Sequence, residues 1–399
     1  MLADIPLVLI LIGIAAYAVL AGADFGAGIW ILLSSRRDAA LRDHARHAMG
    51  PVWEANHVWL IFVIVVAWTA YPRAFASITS TLSVPLFIAA IGIVLRGAAY
   101  ALRAQTDSGA LASRIENVLG LSSILTPFAL GAVVGGIASG RVPVGNAAGD
   151  QFSSWLNATS IMIGLLSVTV GWYLAAVYLA ADAARVRDQA LVRAFRGRAL
   201  LTGAVAGAFA LAALIVVHED ARPIWDGLIS GWGLVALVVS AMAGVATLAL
   251  VRDERYEPAR VAAALAVAAV IAGWAIAQSP DLLPGLTIHQ AAAGHATLVA
   301  LLIAVAAGAL LLTPSLALLF RLTLQGRFDP GAAVVVSPEP RSSSPSPARL
   351  AAAGGLLITG SVLTVLLDST WGLAPGVVAL LAFVAVAFTP VALLPERDG

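Results

Sequence analysis

The sequence predicts an all-α fold, a polytopic bundle of membrane-spanning helices. Three observations carry this. The 399-residue chain is 60% hydrophobic and 11% charged, where a soluble domain carries about 25% charged residues. Its mean hydropathy is +0.94. Apolar stretches near the roughly 20 residues that a spanning helix needs recur along it, and the connections between them alternate between arginine-rich and arginine-poor.

Nine such spans are expected before residue 325: 5–33, 52–71, 74–103, 117–139, 152–181, 199–217, 228–251, 259–277 and 290–322. The first has no basic leader and no small-residue cleavage site, so it reads as a retained helix rather than a signal peptide. The second follows Gly50-Pro51 and stops at Tyr71-Pro72. The third runs to Arg103, with Pro85 as a potential break. The fourth stops before Val142-Pro143, the sixth before Arg222-Pro223, and the eighth before Ser279-Pro280 and Leu283-Pro284. These are turn and breaker signals. The ninth contains Pro314. Gly22/Gly26, Gly131/Gly135 and Gly136/Gly140 have the four-residue spacing that lets helix backbones approach closely.

Arginine placement sets the expected orientation. Arg36, Arg37, Arg42 and Arg46 follow the first span, and Arg103 and Arg114 the third. Arg185, Arg187, Arg193, Arg196 and Arg198 follow the fifth, and Arg252 and Arg255 the seventh, with Arg260 just beyond. The other connections hold Arg73, Arg141, Arg222 or none. The positive-inside rule therefore puts the N-terminus outside and the odd connections in the cytoplasm. Residues 1–325 form the expected core. Residues 326–349, rich in Ser and Pro, read as a linker too polar to pack. Residues 350–367 and 375–394 read as a terminal helical hairpin.

Several chemistries are excluded or unsupported. Cysteine is absent, which rules out disulfides, thiolate metal sites and iron–sulfur ligation. All 23 basic residues are arginine and the net charge is +1, which gives no sign of a nucleic-acid partner.

Two segments hold intramembrane carboxylates: Asp24 in Ala21-Gly22-Ala23-Asp24-Phe25-Gly26-Ala27-Gly28, and Glu54 in Trp53-Glu54-Ala55-Asn56-His57-Val58-Trp59. An ionised carboxylate in hydrocarbon costs at least about 2.5 kcal/mol, so such residues mark proton carriage, ion binding or cofactor contact. Asp24 precedes Arg36 by twelve residues, which places it up to ~18 Å inside the basic end at about 1.5 Å per residue. Glu54 sits in the first turn of its span at that same end, where it could equally answer the helix dipole. His57, one turn on, could ligate haem, relay protons or satisfy a carboxylate. Trp53 and Trp59 bracket Glu54 and His57. Arg96 either snorkels or pairs with a carboxylate or phospholipid. His44 and His47 read as solvated. His289 and His295, six residues apart, point to different faces of one helix.

At Asp24-Phe25-Gly26-Ala27-Gly28, Trp53-Glu54-Ala55-Asn56-His57-Val58-Trp59, Arg96-Gly97-Ala98-Ala99-Tyr100-Ala101-Leu102-Arg103 and Leu286-Thr287-Ile288-His289-Gln290-Ala291, the chain resembles subunit II of the cytochrome bd-type quinol oxidases. The resemblance covers residues 1 to about 325. It implies two four-helix bundles plus a peripheral helix, in a prokaryotic plasma-membrane complex that oxidises quinol and reduces dioxygen to water. It puts haems b558, b595 and d in a larger partner, subunit I. It implies proton delivery through Asp24 and Glu54, and surroundings of haem, quinone or lipid for Trp53, His57, Trp59 and Arg96. Some members hold a quinone or lipid in subunit II. Ala21 and Ala101 stand where acids occur in relatives, and His289-Gln290 where some have Trp-Asp, so the proton route is expected to be thinner here. The terminal hairpin has no counterpart in the family pattern, and is expected at the complex periphery, where a small accessory subunit would otherwise sit. The rival readings are a secondary transporter with Asp24 as coupling-ion site, and a subunit binding its own haem through His57.

Overall fold

The computed structural model describes residues 2–34, 38–49, 53–104, 106, 109–324 and 347–366, with a few positions between 375 and 382. It divides into two compact units, Met1–Leu310 and Leu311–Gly399.

Helices dominate the first unit. α1 (Ile5–Leu33) is followed by the short α2 (Ala39–Met49), then α3 (Trp53–Ala70), α4 (Pro72–Thr81), α5 (Ser83–Ala104), α6 (Ala110–Ala138), α7 (Ala158–Arg185), α8 (Gln189–Asp220), α9 (Arg222–Leu228), α10 (Gly231–Arg252) and α11 (Tyr256–Gln278). Eight described helices are long and apolar enough to cross a membrane, and residues Asn56–Ala70 of α3 add a shorter apolar one. The chain is thus a multi-pass helical membrane protein. α1, α3, α5 and α6 form one four-helix group, and α7, α8, α10 and α11 another, joined where α1 packs on α7 and α11 and where α6 packs on α7.

The expected boundaries shift where polar chemistry intervenes. The third expected span is two helices, because Pro85 lacks the N–H that would continue the ladder back to Thr81 and the chain bends at Leu82. α4 is amphipathic and lies under the loop that follows α6: Ser77 Oγ and Ser80 Oγ accept from the backbone N–H of Gly145 and Ala147. α6 starts seven residues earlier than expected, since a helix can continue into water past its apolar part. α7 starts six residues later. Asp150 accepts from the N–H groups of Phe152 and Ser153, bonds that hold its carboxyl below the usual carboxylate range, and Asn157 then caps the helix at Ser160. Asp188 caps α8 in the same way.

A short excursion follows α11 that was not expected: β1 (Asp281–Leu283) pairs antiparallel with β2 (Leu286–Thr287), and α12 (Ile288–Ala291) opens on a capping box between Thr287 and Gln290. Only then does α13 (His295–Leu324) begin. His289 and His295 therefore lie on different helices, not on two faces of one. Pro314 lies inside α13 without ending it.

Small residues set the packing distances. α1 buries the whole run Ala21–Ile31, and Leu174–Val177 and Leu179–Ala181 of α7 are also buried. Gly26 lies against the Gly171 carbonyl, so the Gly22/Gly26 expectation holds. Gly131 and Gly135 likewise face Gly164 and Ser160. Gly140 does not act as a packing residue. It ends α6 at φ +70°, a left-handed conformation that favours glycine.

The two ends of the bundle differ in charge. At one end Arg185 pairs with Glu257 at 2.7 Å, Arg260 reaches Asp182 at 3.3 Å, and Glu116 meets Arg42, Arg46 and Arg103. His44 is packed here rather than solvated. It bonds Leu179 O at 3.1 Å and its ring lies 5.7 Å from that of Phe195. The side chain of His47 lies outside the described residues. At the opposite end Asp220, the last residue of α8, accepts from Arg141 in the loop after α6 at 2.5 Å and from the Thr159 hydroxyl of α7 at 2.6 Å.

In the second unit α14 spans Pro347–Leu366, beginning inside the expected linker. The linker up to residue 346 and most of the second hairpin helix lie outside the described residues.

Candidate functional site

The chemistry-bearing residues of α1 and α5 converge on one buried ion pair. Asp24 and Arg96 are both 0% exposed. Arg96 Nη2 donates to Asp24 Oδ1 at 2.7 Å and to the Asp24 carbonyl at 2.8 Å, and Nε donates to Oδ2 at 3.3 Å. Nη1 donates to Ser123 Oγ on α6. Tyr100, one turn beyond Arg96, donates its hydroxyl to Asp24 Oδ1 at 3.0 Å and accepts from Nη2 at 3.2 Å. The guanidinium carbon lies 4.9 Å from the Phe25 ring centroid and 5.2 Å from that of Tyr100, close enough for cation–π attraction. Every nitrogen of Arg96 is engaged, so a buried charge is both paired and hydrogen-bonded, as its desolvation demands.

This geometry explains each letter of Asp24-Phe25-Gly26-Ala27-Gly28. Asp24 binds the guanidinium and Phe25 stacks on it. Gly26 admits α7. A Cβ on Gly28 would overlap Ser123 Oγ and lie 2.9 Å from Arg96 Nη1, so glycine leaves the room that Arg96 occupies. Ala27 is buried in the core beside them.

The remaining expected residues fall around this pair or outside the described set. His57 packs edge-on to Tyr17 at 6.3 Å, and Tyr17 packs on Phe25 at 6.5 Å. Trp59 lies against the same Tyr17–Ala21–Phe25 cluster. Asn56 is fully buried and donates to Leu20 O at 3.3 Å. The hydroxyl of Tyr17 and Oδ1 of Asn56 are buried with no hydrogen-bond partner among the described residues. Trp53 and Glu54 open α3, and their side chains lie outside the described residues.

Of the alternatives expected for Arg96, the structure has the pairing with a carboxylate rather than snorkelling, and the chain itself encloses the guanidinium. The Asp24 carboxylate has Arg96 as its counter-charge. Ala21 is buried beside Phe25, and Ala101 is exposed. The sequence reading did not assign Tyr100 and Ser123 to the site. The four-residue step from Arg96 to Tyr100 was a signal for the first, while nothing in the sequence marks the second. Among the described residues, no cluster of three or more His, Asp or Glu could hold a metal ion.

Comparison with known proteins gives a consistent result. The family described as "Cytochrome bd terminal oxidase subunit II" matches residues 2–323. The chain is 23% identical over 237 residues to a protein of Bacillus subtilis (strain 168) provisionally named cytochrome bd menaquinol oxidase subunit II, covering 58% of this chain and 67% of that one. It is 27% identical over 128 residues to the cytochrome bd ubiquinol oxidase subunit 2 of the same organism, covering 32% and 38%. A chain of the solved bd oxidase from Geobacillus thermodenitrificans superposes with a TM-score of 0.63 at 29% identity, covering 81% of this chain and 98% of that one. On the family match over residues 2–323, the chain belongs to the cytochrome bd terminal oxidase subunit II family.

Proposed function

We propose that this chain is the haem-poor subunit of a quinol:dioxygen oxidoreductase in a prokaryotic plasma membrane, with its N-terminus outside. It scaffolds a larger subunit I that carries haems b558, b595 and d, and it delivers cytoplasmic protons through Glu54 and Asp24. The observation that carries this is the buried Asp24–Arg96–Tyr100 constellation. The Tyr100 hydroxyl touches Asp24, and Tyr100 lies one turn from Arg103 at the arginine-rich end. The Tyr17 hydroxyl and Asn56 Oδ1, without a hydrogen-bond partner among the described residues, are polar groups of the kind that ordered water bridges in a proton route. The haems supply oxygen reduction in subunit I, while this chain's residues position helices and move protons. Quinol is the complex's reductant. A quinone or lipid bound near Trp53, His57 and Trp59 belongs to the same proposal.

The transporter reading has less support, because Arg96 already neutralises the coupling-ion candidate. For haem binding through His57, reduced-minus-oxidised spectra of the isolated chain decide: a haem band in this chain alone would revive that reading. In the purified complex, a haem-d band with a larger co-purifying subunit is expected.

Glu54→Gln tests the proton route. Haem content should stay normal while quinol-driven oxygen consumption falls by about 10²-fold, in the range that a positioned proton-transfer group contributes. Normal turnover would remove Glu54 from the route. Residues 326–349 and 350–399 are proposed as a linker and a peripheral hairpin occupying the place of an accessory subunit. Deleting 336–399 should then lower the yield of assembled complex, and an unchanged yield and activity would count against the hairpin's role.

A further inference from the structure

Where α2 and α5 meet the start of α6, an open cavity of about 370 Å³ is lined by Arg42, Arg46, Arg103, Glu116, Ala110 and Ser113, among others. It lies at the arginine-rich end, away from the Asp24–Arg96 pair. Three guanidiniums face one carboxylate across it. Glu116 takes Arg46 and Arg103 at 3.1 Å each, together with Arg42. One carboxylate cannot balance three cations, so the lining keeps a positive excess. Asp43, outside the lining, pairs with Nη2 of Arg46 at 2.7 Å and so offsets part of that excess, while Nε of Arg46 is buried without a hydrogen-bond partner among the described residues. The first turn of α6 forms part of the wall, and its N-cap is Gly109, which has no side chain to cap it. Its leading N–H groups have no intrahelical acceptor. Guanidiniums in a concave wall recognise phosphate oxygens through bidentate, charge-assisted hydrogen bonds.

We propose that this cavity is a binding site for a phosphate oxyanion. The position favours a lipid headgroup as the source. Leu102 and Leu111, next in sequence to the lining residues Arg103 and Ala110, are 56% and 61% exposed, and they offer an apolar flank along which an acyl chain lies. Glu116 holds the guanidiniums in place, and the phosphate takes their outward edges. The proposal does not depend on the proton route.

The test uses the purified complex, delipidated in mild detergent, with bound ligand counted by native mass spectrometry. The probes are dioleoyl phosphatidylglycerol, dioleoyl phosphatidylcholine and inorganic phosphate. Two variants accompany the wild type. Arg46→Gln leaves Glu116 held by Arg42 and Arg103. Ala110→Glu puts a carboxylate at the exposed start of α6, where it favours the helix but repels a phosphate. Phosphatidylglycerol should bind the wild type about tenfold more tightly than either variant, the size of one lost charge-assisted hydrogen bond, with phosphatidylcholine weaker throughout. Displacement by inorganic phosphate at comparable affinity would assign the site to free phosphate, and failure to displace would assign it to lipid. Equal retention of every probe by the wild type and both variants would overturn the proposal.

Discussion

Asp24→Asn alone is expected to prevent assembly of the complex, and Arg96→Met alone to do the same, while the double variant Asp24→Asn/Arg96→Met recovers much of the yield. Each single change leaves a buried polar or charged group without its partner. Breaking a buried pair this way costs about 3–5 kcal/mol, whereas replacing both partners is close to neutral. Both residues are 0% exposed, so water cannot compensate for the loss. The pair also ties two helices together, because α1 and α5 each pack on α6 and Arg96 reaches across to Asp24. The measurements are the yield of haem-loaded complex and its thermal inactivation midpoint for the three variants. Full assembly of Asp24→Asn would show that the pair does not hold the bundle. The double variant also separates structure from proton transfer: if it assembles with normal haem but turns over slowly, Asp24 carries protons; if it assembles and turns over normally, the role of Asp24 is to hold Arg96.

Gly26→Ala should be nearly as damaging, while Gly22→Ala, one turn earlier, should be tolerated. A Cβ at position 26 would overlap the Gly171 carbonyl and lie 2.7 Å from Ala175 Cβ. Backbone cannot yield as a flexible side chain does, so α1 and α7 must separate, at about 1–3 kcal/mol or more for overpacking. At position 22 the nearest atoms are Leu174 Cδ1 at 3.4 Å and Gly171 Cα at 3.7 Å, ordinary van der Waals contact. There alanine also gains up to about 1 kcal/mol in helix propensity over glycine. Thermal inactivation of the purified complexes checks this. Similar midpoints for both variants would mean that the α1–α7 contact adjusts more easily than its geometry implies.

These two predictions also separate what was legible in the sequence from what was not. The sequence by itself determined the membrane class, the approximate places of most spans, the alternation of basic and neutral connections, the close approach at Gly22/Gly26, and the family. Each follows from demands that hydrocarbon and a charged membrane face make on one helix at a time, so a linear reading suffices. Boundaries were legible where apolar runs stop, but not where Asp150 or Asn157 delays a helix, nor where a helix continues past the apolar zone, as α6 does. The candidate site was legible only in its components. Asp24 and Arg96 were both singled out, yet their pairing over 72 residues depends on how α1 and α5 are rotated about α6, which no single segment encodes. Sequence position grouped Asp24 with Glu54 because both approach the basic end. The tertiary structure instead joined Asp24 to Arg96, Tyr100 and Ser123, because a guanidinium shut away from water must find its counter-charge and acceptors within its own chain.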